Sequence, residues 1–259
     1  ALDEFFRSLR LEELTREHEG HDPVIWQGRR YPDFWQGETA PAAKGEVARL
    51  TRHFVDVAEE KNGWFYPEIP AIDPAQRRRL DALDRVTFIR HLEQVAGGSL
   101  HPHVETAIEH YCWSSFGASA REIGAASGLN FLAAEVDPIL VCPGGNAAIA
   151  DRLLRRVGQS VPRENLGGGG IVVDVRVRDD GVQVSYEDAQ GRFRSLLARA
   201  VILACPKFAA AKLLHEIEEA RLAAIRRLRY NAYLVANVLL KRPVKEDFYG
   251  LFLLGEGRV

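Results

Sequence analysis

Four side chains with nitrogen or sulfur donors, His101, His103, His110 and Cys112, fall within twelve residues. A tetrahedral zinc centre needs paired ligands at short, regular intervals. This spacing matches no such set, and His101-Pro-His103 stands where a helix begins, so the group reads as the polar surface of a helix start. His18-Glu-Gly-His21 is one residue short of H-E-x-x-H. Its histidines stand at i, i+3, without the required geometry, and no metal site is expected. Ser119, in Gly117-Ala-Ser-Ala-Arg121, lacks the second glycine of a nucleophile elbow. It reads more simply as the N-cap of a helix with Glu122 at N3. The glycines 167–170 lead into β-branched residues rather than into a helix carrying Gly-Lys-Ser/Thr, so they read as a flexible turn. The chain contains no G-x-G-x-x-G, so a dinucleotide pyrophosphate site is not encoded here in its usual form. The arginines at 77–79 and 152–156 fit solvated helix faces.

These residues sit in a chain of 259 residues, 46% hydrophobic and 27% charged, the balance of a folded globular protein. Lys and Arg number 34 against 36 Asp and Glu, for a net charge of -2. Nothing in that balance attracts a phosphate backbone, and nucleic acid is not an expected partner. No apolar run approaches the roughly 18 residues of a membrane span, the longest being short ones such as Ala200–Cys205. The three cysteines are far apart and form neither a C-x-x-C pair nor an even disulfide set. That pattern, with no basic-then-apolar leader after Ala1, points to a reducing, cytoplasmic setting. The chain has no methionine, which reads as a processed or excised polypeptide.

Hydrophobic periodicity divides the chain into a helical first part and a strand-bearing second part. Helical spacing runs over 2–17, 44–61, 85–95, 104–115 and 120–136. Between the first two lies the aromatic passage Trp26–Trp35, a short hairpin or irregular loop, and Pro67–Pro74 is too proline-rich for regular structure. A tight turn at 143–146 delivers a polar cap to a helix over 147–157. The period then becomes two. Residues 171–177, 182–186 and 200–204 predict three strands of an antiparallel meander, with turns at Asp179-Asp-Gly181 and Asp188-Ala-Gln-Gly191. A helix follows over 207–227, and 230–240 alternates as one more long strand in a separate sheet. The class is α+β.

The order of these segments is more specific than any one of them. Pro143-Gly-Gly-Asn146, a helix ending in Asp151-Arg-Leu-Leu-Arg-Arg, the strand Val172-x-x-Val175, Asp180-Gly-Val-Gln-Val184 and Ala200-Val-Ile-Leu-Ala-Cys-Pro206 follow at close intervals. The succession resembles the middle of the flavin-containing amine oxidase family, which includes protoporphyrinogen oxidase-like and phytoene desaturase-like flavoproteins. Upstream, Asp84-Arg-Val-Thr-Phe-Ile-Arg-His-Leu92 is similar to that family's D-x-x-S/T-F-x-x-x-L helix entry. Downstream, Tyr233–Pro243 is similar to its substrate-domain strand.

The resemblance implies three parts. Residues 1–142 belong to a largely helical substrate domain, 143–206 to an FAD-binding domain, and 207–259 return to the substrate domain. Without the family's amino-terminal fingerprint, the chain resembles the interior of a longer flavoprotein. FAD is then the cofactor of the full-length parent, held weakly or not at all by this chain alone. Val172 matches the strand position whose backbone meets the adenine, and Ala204, Cys205 and Pro206 match the crossover beside the cofactor. Val235 matches the position of a lysine that many family oxidases place near the flavin N5. The implied chemistry is hydride transfer from a C–N or C–C bond of a small amine or apolar substrate, with Trp26, Tyr31, Phe34, Trp35, Trp64 and Tyr66 walling the cavity. Core packing is the competing use of those aromatics. A non-catalytic substrate-binding or interaction domain that keeps the fold without the cofactor is the alternative, and the oligomeric state stays open.

Overall fold

The computed structural model describes residues 2–11, 16–17, 22–32, 34, 43–69, 73–136, 140–142, 144–161, 169–243, 248 and 250–255. The described elements are α+β, and they gather into two compact units. A helical unit comprises Thr15–Val141 with Ala232–Val259, and a sheet unit comprises Ala1–Leu14 with Cys142–Asn231.

In the helical unit, α2 (Lys44–Ala58), α4 (Phe88–Ala96), α5 (Pro102–Phe116) and α6 (Ala125–Ala134) supply most of the core. Their apolar residues recur every three or four positions and bury one stripe of each helix, as Val47, Leu50, Phe54 and Val57 do on α2. Chain breaks follow from backbone geometry. α2 stops where Glu60, Asn62 and Gly63 take positive φ, and α4 and α5 end on the left-handed glycines Gly97 and Gly117. α3 (Pro74–Asp84) starts on Asp73, whose carboxylate accepts from the Ala75 and Gln76 N–H groups.

α6 approaches α4 unusually closely. A Cβ placed on Gly128 would lie 2.3 Å from Cγ of Phe88, so only glycine lets the ring sit against the α6 backbone. The starts of the two helices are tied by Ala125 N–H donating to Val86 C=O at 2.8 Å and Phe88 N–H donating to Ile123 C=O at 3.0 Å. Around this core lie two small sheets. β2 (Val24–Trp26) and β3 (Arg29–Tyr31) form a hairpin through Gln27 and Gly28, both at positive φ, and β8 (Phe252–Leu254) pairs parallel to β2. β1 (Arg16–Glu17) pairs with β4 (Leu140–Val141).

The sheet unit holds α1 (Leu2–Ser8), α7 (Asn146–Val157), the meander β5 (Ile171–Arg178), β6 (Gly181–Glu187) and β7 (Phe193–Ala198), then α8 (Lys207–Leu213) and α9 (Glu219–Arg227). The meander is antiparallel throughout, in the order β5-β6-β7. Its register puts Val175, Val177, Val182, Val184 and Leu196 on one face, where α8 packs against β5 and Val175 and Val184 are buried. Asp188 closes the second turn: its carboxylate accepts from the Gln190 and Arg192 N–H groups and from the Arg192 and Arg194 guanidinium groups.

Several sequence expectations are corrected. The helix expected over 207–227 is two, α8 and α9, interrupted over 214–218. The first helix ends at Ser8, Arg10 takes φ 52°, and Arg16–Glu17 is a strand. The helix expected from Ala120 starts at Ala125, and the Ser119–Glu122 capping contacts close an isolated turn before it. Asn146 is helical, and Gly145 is the N-cap of α7. The third meander strand is Phe193–Ala198 rather than 200–204, where Ile202 is 92% exposed. β6 has only one edge left after β5, and the segment that follows the short 188–191 turn reaches it with the smaller loop-closure cost. Residues 230–240 join no ladder among the described residues, because apolar alternation yields a strand only where a partner edge is available. The strand the helical unit gains from the chain's last part is instead β8, preceded by Gly250, whose N–H donates to Asp22 at 2.8 Å.

Substituting Gly128→Ala should lower stability by about 1–2 kcal/mol, overpacking against Phe88 outweighing the better helix propensity of alanine. Gly98→Ala, where an added Cβ meets nothing within 4 Å, should change it by less than about 0.5 kcal/mol. Urea denaturation followed by far-UV circular dichroism measures both.

Candidate functional site

The sheet unit holds Val172, Ala204, Cys205 and Pro206. β5 is a terminal strand of the meander, and its ladder with β6 shifts register between Val172 and Asp174. Such a bulge leaves one residue, here Val173, out of the pairing and disrupts the ladder locally. The outer edge of β5 meets Leu214 only at Val175, and Val172 and Val173 are 41% and 44% exposed. Just beyond the bulge, Asp174 pairs with Arg176 at 2.9 Å and with His215, and these partners hold its carboxyl below the usual carboxylate range, the His215 hydrogen bond foremost. Ala204 and Pro206 are exposed and Cys205 half-buried in the loop that leads into α8, where Pro206 C=O accepts from the Ala209 and Ala210 N–H groups. Val235 lies in the other unit, in irregular backbone and 67% exposed.

The four donors expected on a polar helix start are distributed differently. His101 does cap α5, its Nδ1 accepting from the His103 N–H at 3.2 Å. His103 is fully buried: the Trp26 indole stacks on it at 4.2 Å and 4°, and Tyr31 and Phe34 pack against its other sides. Burial holds its pKa at about 4. Half-buried His110 packs edge-on to Phe252. Cys112 is buried, and burial pushes its thiol up to about 12. Among the described residues no group of three or more His, Cys, Asp or Glu converges to hold a metal ion. His18, His21, Pro143, Gly167, Gly168 and Trp35 lie outside the described residues. Of the other aromatics expected to wall a cavity, Tyr31 and Phe34 are in the core, and Trp26, Trp64 and Tyr66 pack against it.

Two polar groups escaped sequence reasoning. His53 on α2 and His91 on α4 are hydrogen-bonded to each other inside the core. The available signal was a histidine on the apolar stripe of each helix, beside Phe54 and Leu92. The second group is Tyr111 on α5, whose hydroxyl donates to Glu135 at the C-cap of α6. Phe131 and Phe252 flank Tyr111. Burial pushes both up, the phenol and the carboxyl alike; their shared hydrogen bond raises the phenol further but opposes the shift at Glu135, and the nearby carboxylate of Asp22 adds to each.

With this geometry in place, the comparisons assign the class. Residues 2–257 match the family described as flavin containing amine oxidoreductase, and the chain belongs to that family. Among individual relatives, it is 25% identical over 210 residues to oxidoreductase PigB of Serratia sp., an alignment covering 74% of this chain and 30% of PigB. Its fold is similar to that of cyclohexylamine oxidase from Brevibacterium oxydans, with a TM-score of 0.56, 17% identity, and coverage of 87% of this chain and 49% of that one. The chain thus spans under a third of the curated relative and about half of the solved structure. No helix among the described residues is long and apolar enough to cross a membrane.

Glu135 gives a test of the buried acid. An acid whose folded pKa is raised stabilises the fold fully below the unfolded carboxylate range, and that contribution is lost as pH rises through the folded value. Glu135→Gln keeps an acceptor for Tyr111 and removes the titration. Its urea midpoint should therefore rise relative to wild type as pH goes from about 4 to about 8, and a constant difference would refute the assignment.

Proposed function

We propose that this chain supplies the adenine-contacting strand and part of the substrate-facing wall of an FAD-dependent oxidoreductase. The enzyme takes a hydride from a C–N or C–C bond of a small amine or apolar molecule. The observation that carries the reading is the bulge at Val172–Asp174 on a terminal strand of the meander. Backbone N–H and C=O groups at that place would match the donor and acceptor on an adenine edge, with no polar side chain required, and family membership makes flavin the expected ligand. Bound flavin would supply the hydride acceptor, and the protein orientation and dryness. The backbone at Val172 would hold the adenine, and the 204–206 loop would line the same cofactor.

Val235, matched to the family's lysine position, carries no group that can hold or move a proton. The protein is therefore proposed to pass electrons to a quinone-like acceptor and to react slowly with oxygen. It would behave as a dehydrogenase or desaturase rather than a fast amine oxidase.

The cofactor assignment is tested by fusing the chain to the amino-terminal dinucleotide-binding segment of a family member and reading flavin absorbance near 450 nm. The 259-residue chain by itself should hold FAD weakly or not at all, since no G-x-G-x-x-G is present to seat the pyrophosphate. The fusion should be yellow, and Val172→Pro, which removes the reading N–H, should release most of the flavin while the meander's circular dichroism persists. A colourless fusion favours the cofactor-free binding domain.

In the flavin-loaded fusion, oxygen consumption with a panel of primary and secondary amines should be slow beside reduction of a quinone or dye. Val235→Lys should raise the oxygen rate at least about tenfold, the low end of what a placed proton carrier contributes. Fast oxygen turnover by the wild type would overturn the assignment.

A further inference from the structure

His53 and His91 face each other from neighbouring helices with their Nε2 atoms 2.8 Å apart, and the two residues are only 4% and 5% exposed. Trp64 lies edge-on to both, its ring centroid 4.3 Å from that of His53 and 5.7 Å from that of His91. Two surface grooves reach this cluster from different sides. One, of about 500 Å3, is lined by His53 with Arg49, Arg52 and Asp56; the other, of about 520 Å3, is lined by His91 with Phe65, Arg79 and Gln94. Trp64 and Val95 line both, so the indole and the paired rings stand where the two grooves back onto one another.

We propose that the His53–His91 pair is an acid-released latch, which fastens α2 to α4 while one proton lies between the rings and frees Trp64 to join the two grooves when both rings become charged.

The proton count sets how the latch works. In the neutral pair one Nε2 carries a proton and donates, and the other is bare and accepts. One added proton, on the donor ring's Nδ1, leaves the bond in place but buries a charge. A second added proton occupies the accepting Nε2, so two N–H groups point at each other and the bond is gone. The surroundings oppose both steps. Burial, and for His53 the facing His91, hold the two rings at about 4 against an ordinary 6.5. Arg49 and Arg52 on α2 and Arg79 on α3 add positive charge at the groove mouths. Asp56 is the carboxylate that favours charge on His53. Glu93 on α4 is engaged by Arg90, and α6, which packs on both helices, has no ionisable residue. Because the folded values lie below the unfolded ones, the latch is fully closed above about pH 6.5 and is lost as pH falls toward 4. Opening returns both rings to water and is coupled to uptake of two protons, so release is steeper than one proton's titration.

The test follows Trp64 in the intact chain. Tryptophan emission is recorded from pH 8 to pH 3.5, Trp64→Phe is subtracted, and far-UV circular dichroism is read in parallel. Wild type should show a red shift of the Trp64 component with a midpoint between about pH 4 and 6.5, steeper than one proton, while helicity is retained. His53→Gln keeps a hydrogen-bonding amide opposite His91 and leaves one titrating ring, so its transition should be shallow and single-proton. The double variant His53→Phe/His91→Leu should show none in this range. An unchanged transition in either variant, or loss of helicity at the same pH as the Trp64 shift in wild type, would overturn the proposal.

Discussion

The helical unit depends on one bare backbone position. At Gly128 the face of Phe88 rests where a side chain would otherwise stand, and that close seat fixes where α6 lies against α4. Much follows from it. Asn130, two residues on, reaches the irregular 66–67 passage, its amide donating to Pro67 C=O at 2.9 Å while the Tyr66 hydroxyl donates to the Asn130 backbone C=O at 2.8 Å. At the far end, Glu135 arrives under the Tyr111 hydroxyl. At the near end, Gly124 passes so close to Asp84 that a Cβ there would lie 1.9 Å from the carboxylate. Two glycines thus let three helices come near enough for their polar groups to meet inside the unit.

The sheet unit is organised by a different constraint, the pairing of strand edges. Asp188 gathers two backbone N–H groups and two guanidinium groups at the second turn, which holds its carboxyl well below the usual carboxylate range. This fixes β7 beside β6 and leaves β5 as a terminal strand of the meander.

That difference explains what was legible in the residues. The buried stripes of α2, α4 and α5 were readable because each depends on one helix's own period. The β5–β6 hairpin was readable because Asp179-Asp-Gly181 names its turn, with Gly181 at a φ of 150°. The swap of 193–198 for 200–204 was not readable, since both runs have strand character and the choice rests on which edge is reached first. The same holds for 230–240, whose apolar residues specify a strand but not a partner. His53 and His91 each looked like a single polar residue on an apolar face. Only the crossing of α2 and α4 makes them a pair. Val172 is singled out through the family's order of motifs, and the bulge beside it cannot be read from a row of β-branched residues.

The distribution of sulfur has a practical consequence for labelling. Cys112, the thiol of the helical unit, is buried and has almost no thiolate near neutral pH, since burial pushes it up to about 12. Cys142 and Cys205 are half-buried, and both belong to the sheet unit. A maleimide dye or nitroxide therefore marks the sheet unit alone in the native sequence. Trp26, Trp64 and Trp113 remain as natural indole donors confined to the helical unit, so each unit carries its own spectroscopic address without any engineered residue.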